Sequence, residues 1–221
     1  MTFPKKLNLF CEQFLQMNSI QQTYILTLLQ LLYPKNGALE NVIQKYEVLT
    51  GGDGMNEFRW DEVGDVQVGR QNLGETMPVL VYRLFEYSMR DALTERLGAQ
   101  GAIELMRQAG HIAGQAFAEK YLELSLPFTE FIAATQRVLA DLKIGILRLE
   151  NVLPNGTIIL TISEDLDCSG MPVLGDAVCN YDEGFIQGIL FAYSGKRYEV
   201  TEIDCWAKGD RVCRFKAEPT T

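Results

Sequence analysis

Three of the chain's five cysteines, Cys179, Cys205 and Cys213, are joined by a run that reads as a helix followed by a hairpin. Cys205 and Cys213 sit symmetrically about Gly209. An antiparallel hairpin turning at Lys208-Gly209-Asp210 would set them face to face, with Cβ atoms ~4.5–5.5 Å apart. Cys179 lies just ahead of the helical pattern, so its thiol can be brought back over the hairpin. Glu202 is the nearest carboxylate able to complete four ligands. Three thiolates and a carboxylate suit zinc in a closed tetrahedral shell. In a regular strand positions 202 and 205 point to opposite faces, so Glu202 reaches the thiols only through a bulge or a twisted strand end. Spacing alone leaves two other readings open, a Cys205–Cys213 disulfide or simply buried cysteines.

Other chemistry is sparse. His111 is the chain's single histidine and sits on a helix beside Gly110, where a partly buried or surface role is expected rather than a catalytic one. No nucleophile elbow, dinucleotide fingerprint, phosphate loop or paired-histidine metal motif occurs. A reductase needs a nicotinamide, flavin or iron–sulfur site, and none is legible. Four thiolates would suit an iron–sulfur cluster with Cys168 as a further candidate, but a carboxylate in the set favours zinc. Cys168, in Asp-Cys-Ser-Gly, reads as a buried or loop thiol, and Cys11 as core.

The elements that must position these residues follow from periodicity. Residues 1–57 carry three short amphipathic helical patterns, for example Leu7, Phe10, Phe14 and Met17, and end in the glycine linker Thr50-Gly51-Gly52-Asp53-Gly54. They read as an N-terminal helical extension for dimerisation or docking. Residues 58–75 are expected to form a short strand or two. Pro78 opens a helix over 78–97 that Gly98 ends, a second helix spans 99–124, and Pro127 opens a third. Strands are predicted over 144–152 and 157–163, joined through Asn155-Gly156, a strong hairpin signal. After a loop over 164–175 come the helix 180–193, a strand over 197–206 and a returning strand over 212–216. Helices first and antiparallel strands later indicate an α+β fold, with helices packed on one face of the sheet.

Two helices carry small-residue ridges at four-residue spacing: Gly110, Gly114 and Ala118 in one, Gly184, Gly188 and Ala192 in the other. Interior helix glycines cost about 1 kcal/mol each against alanine, so the ridges imply close backbone approach or, less commonly, room for a ligand. Around these helices lie Phe85, Met89, Phe117, Tyr121, Phe185, Ile189 and Trp206, candidate walls of an apolar pocket.

A net charge of −9 argues against nucleic acid and against anionic membrane surfaces, which need clustered lysine and arginine. No stretch reaches the ~18 apolar residues of a membrane span, and the start lacks a signal-peptide core. With an odd number of cysteines, a cytoplasmic location is expected rather than a secreted disulfide framework.

The run Gly-Phe-Ile-Gln-Gly-Ile-Leu followed by Gly-Lys-Arg-Tyr-Glu-Val-Thr-Glu-Ile-Asp-Cys-Trp-Ala-Lys-Gly-Asp-Arg-Val-Cys-Arg-Phe resembles the end of a 4-vinyl reductase domain. Such domains occur in bacteriochlorophyll 4-vinyl reductase-associated proteins, archaeal hydrocarbon-binding proteins and aromatic-sensing transcription activators. Cys168, Cys179, Glu202, Cys205, Gly209, Asp210, Cys213 and Phe215 stand where that pattern puts them. The resemblance implies a structural zinc site at Cys179, Glu202, Cys205 and Cys213, as in the aromatic sensors. It also implies a domain over 58–221 that binds a small hydrophobic or aromatic molecule and signals through a protein partner, without activity of its own. A homodimer is expected. The histidine and tryptophan that hold phenols in those sensors have no match here, which favours a more apolar ligand. The alternatives are an accessory subunit in tetrapyrrole 4-vinyl reduction and a scaffold acting through residues 1–57.

Overall fold

The structure is a computed structural model that describes residues 58 and 60–220; the expected N-terminal extension, with Cys11, lies outside the described residues. Where strands were expected over 58–75, two helical turns occur instead, α1 (Trp60–Val63) and α2 (Val66–Gly69). The Asp65 carboxylate accepts from the Val68 N–H at 2.9 Å and caps α2. Local capping of this kind needs no partner, whereas a strand here has no ladder to join.

Helix α3 (Val79–Tyr121) is the longest element, and Gly98 inside it has φ 75° and ψ 167°, so two helices meet there at a kink. This is the break expected at Gly98, because only glycine enters that region without strain. Helix α4 (Phe128–Asp141) follows Pro127, and α5 (Asn180–Ser194) ends at Gly195 in the left-handed region.

Four strands, β1 (Ile146–Val152), β2 (Ile158–Ser163), β3 (Tyr198–Asp204) and β4 (Cys213–Pro219), form an antiparallel sheet in the order β1-β2-β4-β3. The α+β reading is borne out. Alternation explains its two faces: Ile158, Leu160 and Ile162 of β2 are buried with Cys213, Phe215 and Ala217 of β4, while intervening residues are more accessible. The covered face meets α4 and α5, with Phe131, Leu139, Ile186, Ile189 and Leu190 in the same core.

The two glycine ridges pack on one another. A Cβ at Gly110 or Gly114 would overlap the carbonyl oxygens of Tyr181 and Phe185, and one at Gly184 or Gly188 those of Arg107 and His111. Close backbone contact of α3 with α5, not space for a ligand, is therefore what these glycines serve. Glu183 adds a polar clamp: its carboxylate accepts from Arg107 Nε at 2.5 Å and from the Glu202 backbone N–H at 2.8 Å, tying α3 and α5 to β3.

Candidate metal centre and cavity

The hairpin between β3 and β4 is not the simple turn its symmetry suggests. The 3₁₀ turn Trp206–Lys208 leads into Gly209 at φ 107°, and the Cys205 carbonyl accepts from the N–H groups of Lys208 and Asp210 at 2.9 and 3.1 Å. Asp210 Oδ2 in turn accepts from the Cys205 N–H at 3.0 Å. These bonds fix the Cys205 backbone and hold its thiol inward. The ladder between β3 and β4 shifts register between Glu202 and Asp204. That irregularity is what the sequence required for Glu202 and Cys205 to face the same side, and both are buried.

A second loop delivers another thiol. Asp165 Oδ1 accepts from the N–H groups of Asp167 and Cys168 at 2.8 and 3.2 Å, a local turn that points Cys168 into the core. Cys168 Sγ lies 3.1 Å from Cys213 Sγ, and Cys179 Sγ is 3.9 and 3.8 Å from those of Cys205 and Cys213. All four are buried free cysteines, so the Cys205–Cys213 disulfide is not formed. Their sulfurs lie within 4.8 Å of one another. Four thiolates ~2.3 Å from a tetrahedral zinc stand ~3.8 Å apart, close to the two Cys179 distances.

Glu202 stands beside this group. Its Oε2 accepts from the Cys179 N–H at 3.1 Å, while its buried Oε1 has no partner. Burial pushes its carboxyl up to about 8, with Cys205 the next cause. The thiols share protons: hydrogen bonding, first from Cys168, holds Cys205 far below the usual cysteine range and pushes Cys179 and Cys213 above it. Clustered thiols that cannot all ionise without a counter-charge, next to an orphaned carboxylate oxygen, are a donor set suited to a soft or borderline cation.

Under α5 lies an apolar cavity of about 30 Å³, bounded by side chains such as Ile132, Leu139, Leu160, Phe185, Ile186 and Ile189. Asp165 and Asp182 also face it. The carboxylates of Asp165 and Asp182 lie within 4.8 Å of each other and of Cys179 Sγ. Burial raises both carboxyls above the usual range.

Of the pocket residues expected from sequence, Phe185 and Ile189 line this cavity. Phe117 packs against Phe185 with centroids 5.1 Å apart, in the core behind it. Phe85, Met89 and Tyr121 are exposed on α3. Trp206 donates from Nε1 to the Met171 carbonyl at 3.1 Å, with the Arg211 guanidinium over its ring. His111 is half-buried on α3, its ring 5.7 Å from that of Phe191, and burial lowers its pKa. Sequence reasoning gave Asp165 and Asp182 no role and left Cys168 outside the ligand set. Its one cue was that Cys168 fits the family pattern; nothing in the local spacing shows that the 164–175 loop folds back onto β4.

Residues 158–219 match the family model of the 4-vinyl reductase domain, a stretch containing all four clustered cysteines and Glu202. The resemblance read from the sequence is thereby borne out, and the chain carries a 4-vinyl reductase domain. Two uncharacterised proteins of Methanocaldococcus jannaschii are similar to it. MJ0150 is 24% identical over 145 residues, covering 66% of this chain and 78% of its own. MJ1642 is 23% identical over 146 residues, covering 66% and 80%. The fold is shared with the phenol-responsive sensory domain of the transcription activator PoxR, solved with phenol, at a TM-score of 0.51 and 17% identity over 66% of this chain and 76% of that one. A vinyl-4-reductase family protein from Methanocaldococcus jannaschii is also similar, at a TM-score of 0.49 and 14% identity over 74% and 98%.

Among the described residues no helix is long and apolar enough to cross a membrane.

Proposed function

We propose that this protein is a zinc-stabilised, cytoplasmic ligand-binding sensor for a small hydrophobic molecule, without enzymatic activity of its own, working as a homodimer through a protein partner. The observation that carries this reading is the position of α5. One side of the helix bounds the apolar cavity, and its N-terminal neighbour Cys179 belongs to the thiol cluster. A cation held there joins the 164–175 loop, the start of α5 and the β3–β4 hairpin into one unit. The cavity has about the volume of one water molecule, so a larger guest must displace its walls, α5 among them. A guest with different affinity for the closed and displaced states shifts the balance between them, which is the physical content of sensing.

Cys179, Cys205 and Cys213 supply three ligands in this reading, and proximity favours Cys168 for the fourth position over Glu202. Glu202 then orients Cys179 through its backbone N–H. Zinc contributes structural cross-linking when bound. The exposed Leu80, Leu84 and Phe85 along α3 supply an apolar surface suited to a second copy. Native mass spectrometry of gently purified protein tests the whole reading. One zinc per chain, a dimer mass and uptake from a hydrophobic library are expected; failure to take up any compound removes the sensor.

A further inference from the structure

The cavity wall has a chemical bias that apolar binding alone does not explain. Of the residues lining it, only Asp165 and Asp182 carry charge, and both are acidic. The other polar lining residue, Thr135, donates its hydroxyl hydrogen to the Phe131 carbonyl at 2.9 Å, so it offers no free donor. Nearby cations are engaged elsewhere. Arg83 binds the carbonyls of Leu166, Asp165 and Ser169. Arg90 binds the Val178 carbonyl and Asn180 Oδ1. Neither Asp165 nor Asp182 takes part in an ion pair among the described residues. Asp182 is 7% exposed, and its close neighbours are the Asp165 carboxylate and the Cys179 thiol, a weak donor.

An otherwise apolar cavity that ends in two carboxyl groups, with no cation facing them, sorts ligands by head group. A carboxylate or phenolate entering it would lose its water and meet only like charge, which low-dielectric surroundings penalise heavily. An ammonium would gain charge-assisted hydrogen bonds to both carboxylates. Resting on the ligand-binding reading above, we infer that the cavity takes a small apolar molecule ending in an amine, with the head seated between Asp165 and Asp182 and the body against Ile132, Leu160, Phe185 and Ile189. The head would then lie beside Cys179, where occupancy reaches the thiol cluster directly.

Two matched series of probes test this by calorimetry at neutral pH: n-butylamine, n-butanol and butyrate, and benzylamine, benzyl alcohol and benzoate. The amine is expected to bind at least tenfold more tightly than the alcohol, and the carboxylate not at all. Asp182→Asn and Asp165→Asn should each erase that order while leaving alcohol binding in place, with zinc content measured on the same samples. The wild-type series decides the matter even if neither variant folds. Alcohol or carboxylate binding as tightly as amine overturns this inference and leaves the sensor reading standing. No binding in either series also overturns it, and uptake from the hydrophobic library then judges the sensor reading separately.

Discussion

Cys168 and Glu202 compete for one role at the thiol cluster, and single substitutions separate them. Cys168→Ser removes a sulfur that lies 3.1 Å from Cys213, and Glu202→Gln keeps the Oε acceptor toward the Cys179 N–H. If Cys168 is the fourth ligand, its variant loses ten- to a hundredfold in zinc affinity or more, while Glu202→Gln loses tenfold or less (roughly, from the range for neighbours of ligands). Competition with a chromophoric chelator reads both, and the opposite order gives the position to Glu202. Glu86 makes a separate prediction at this scale. It is buried, neither carboxylate oxygen has a hydrogen-bond partner, and burial pushes its pKa up to about 7 despite Arg90 at 3.6 Å. A carboxyl raised from 4.5 keeps its proton better in the folded state, so it favours folding at acid pH and loses that advantage as pH rises from 4.5 through 7. Glu86→Gln should therefore leave stability at pH 4 nearly unchanged and raise it at pH 8 by on the order of 2 kcal/mol. Denaturant midpoints at the two pH values check it, and a gain at pH 4 alone contradicts the assignment.

At the scale of elements, the packing of α3 on α5 depends on backbone approach. Gly184→Ala places a methyl group against the Arg107 carbonyl and Gly114→Ala places one against that of Phe185, backbone atoms that cannot rotate away. Each should destabilise the fold by roughly 3 kcal/mol or more, despite alanine's better helix propensity. Gly98→Ala makes the contrast, since no atom lies within 4 Å of the added methyl and only the φ of 75° opposes it. A cost of about 1–2 kcal/mol is expected there. Equal losses at all three sites would mean that helix distortion, not interhelical overlap, sets the penalty. Thermal melts of the three variants decide between them. The kink at Gly98 and the irregularity in β3 were legible in the sequence because each answers a local demand. One is a glycine between two helical patterns, and the other a carboxylate and a thiol that alternation would otherwise separate. The turns α1 and α2 were misread as strands, since short apolar runs carry no period long enough to discriminate.

For the whole molecule, a cation at the thiol cluster links segments from Cys168 to Cys213, so its removal should loosen the loop, α5 and hairpin together. Hydrogen exchange after chelation is expected to rise most around Cys179 and the 205–213 turn, with α4 changing least. Uniform loosening would mean the ion supports global stability without a distinct unit. The sequence by itself determined the α+β order of elements, the approximate strand and helix limits, the paired glycine ridges and three of the four clustered thiols. Each of these is encoded by period, turn chemistry or short spacing. Only the tertiary structure decided that Cys168 joins those thiols, that Asp165 and Asp182 meet at the cavity wall, and that Phe85, Met89 and Tyr121 face outward. Those outcomes depend on which helix face turns inward and on a loop returning across the sheet, and contacts between residues distant in sequence leave no local periodic mark.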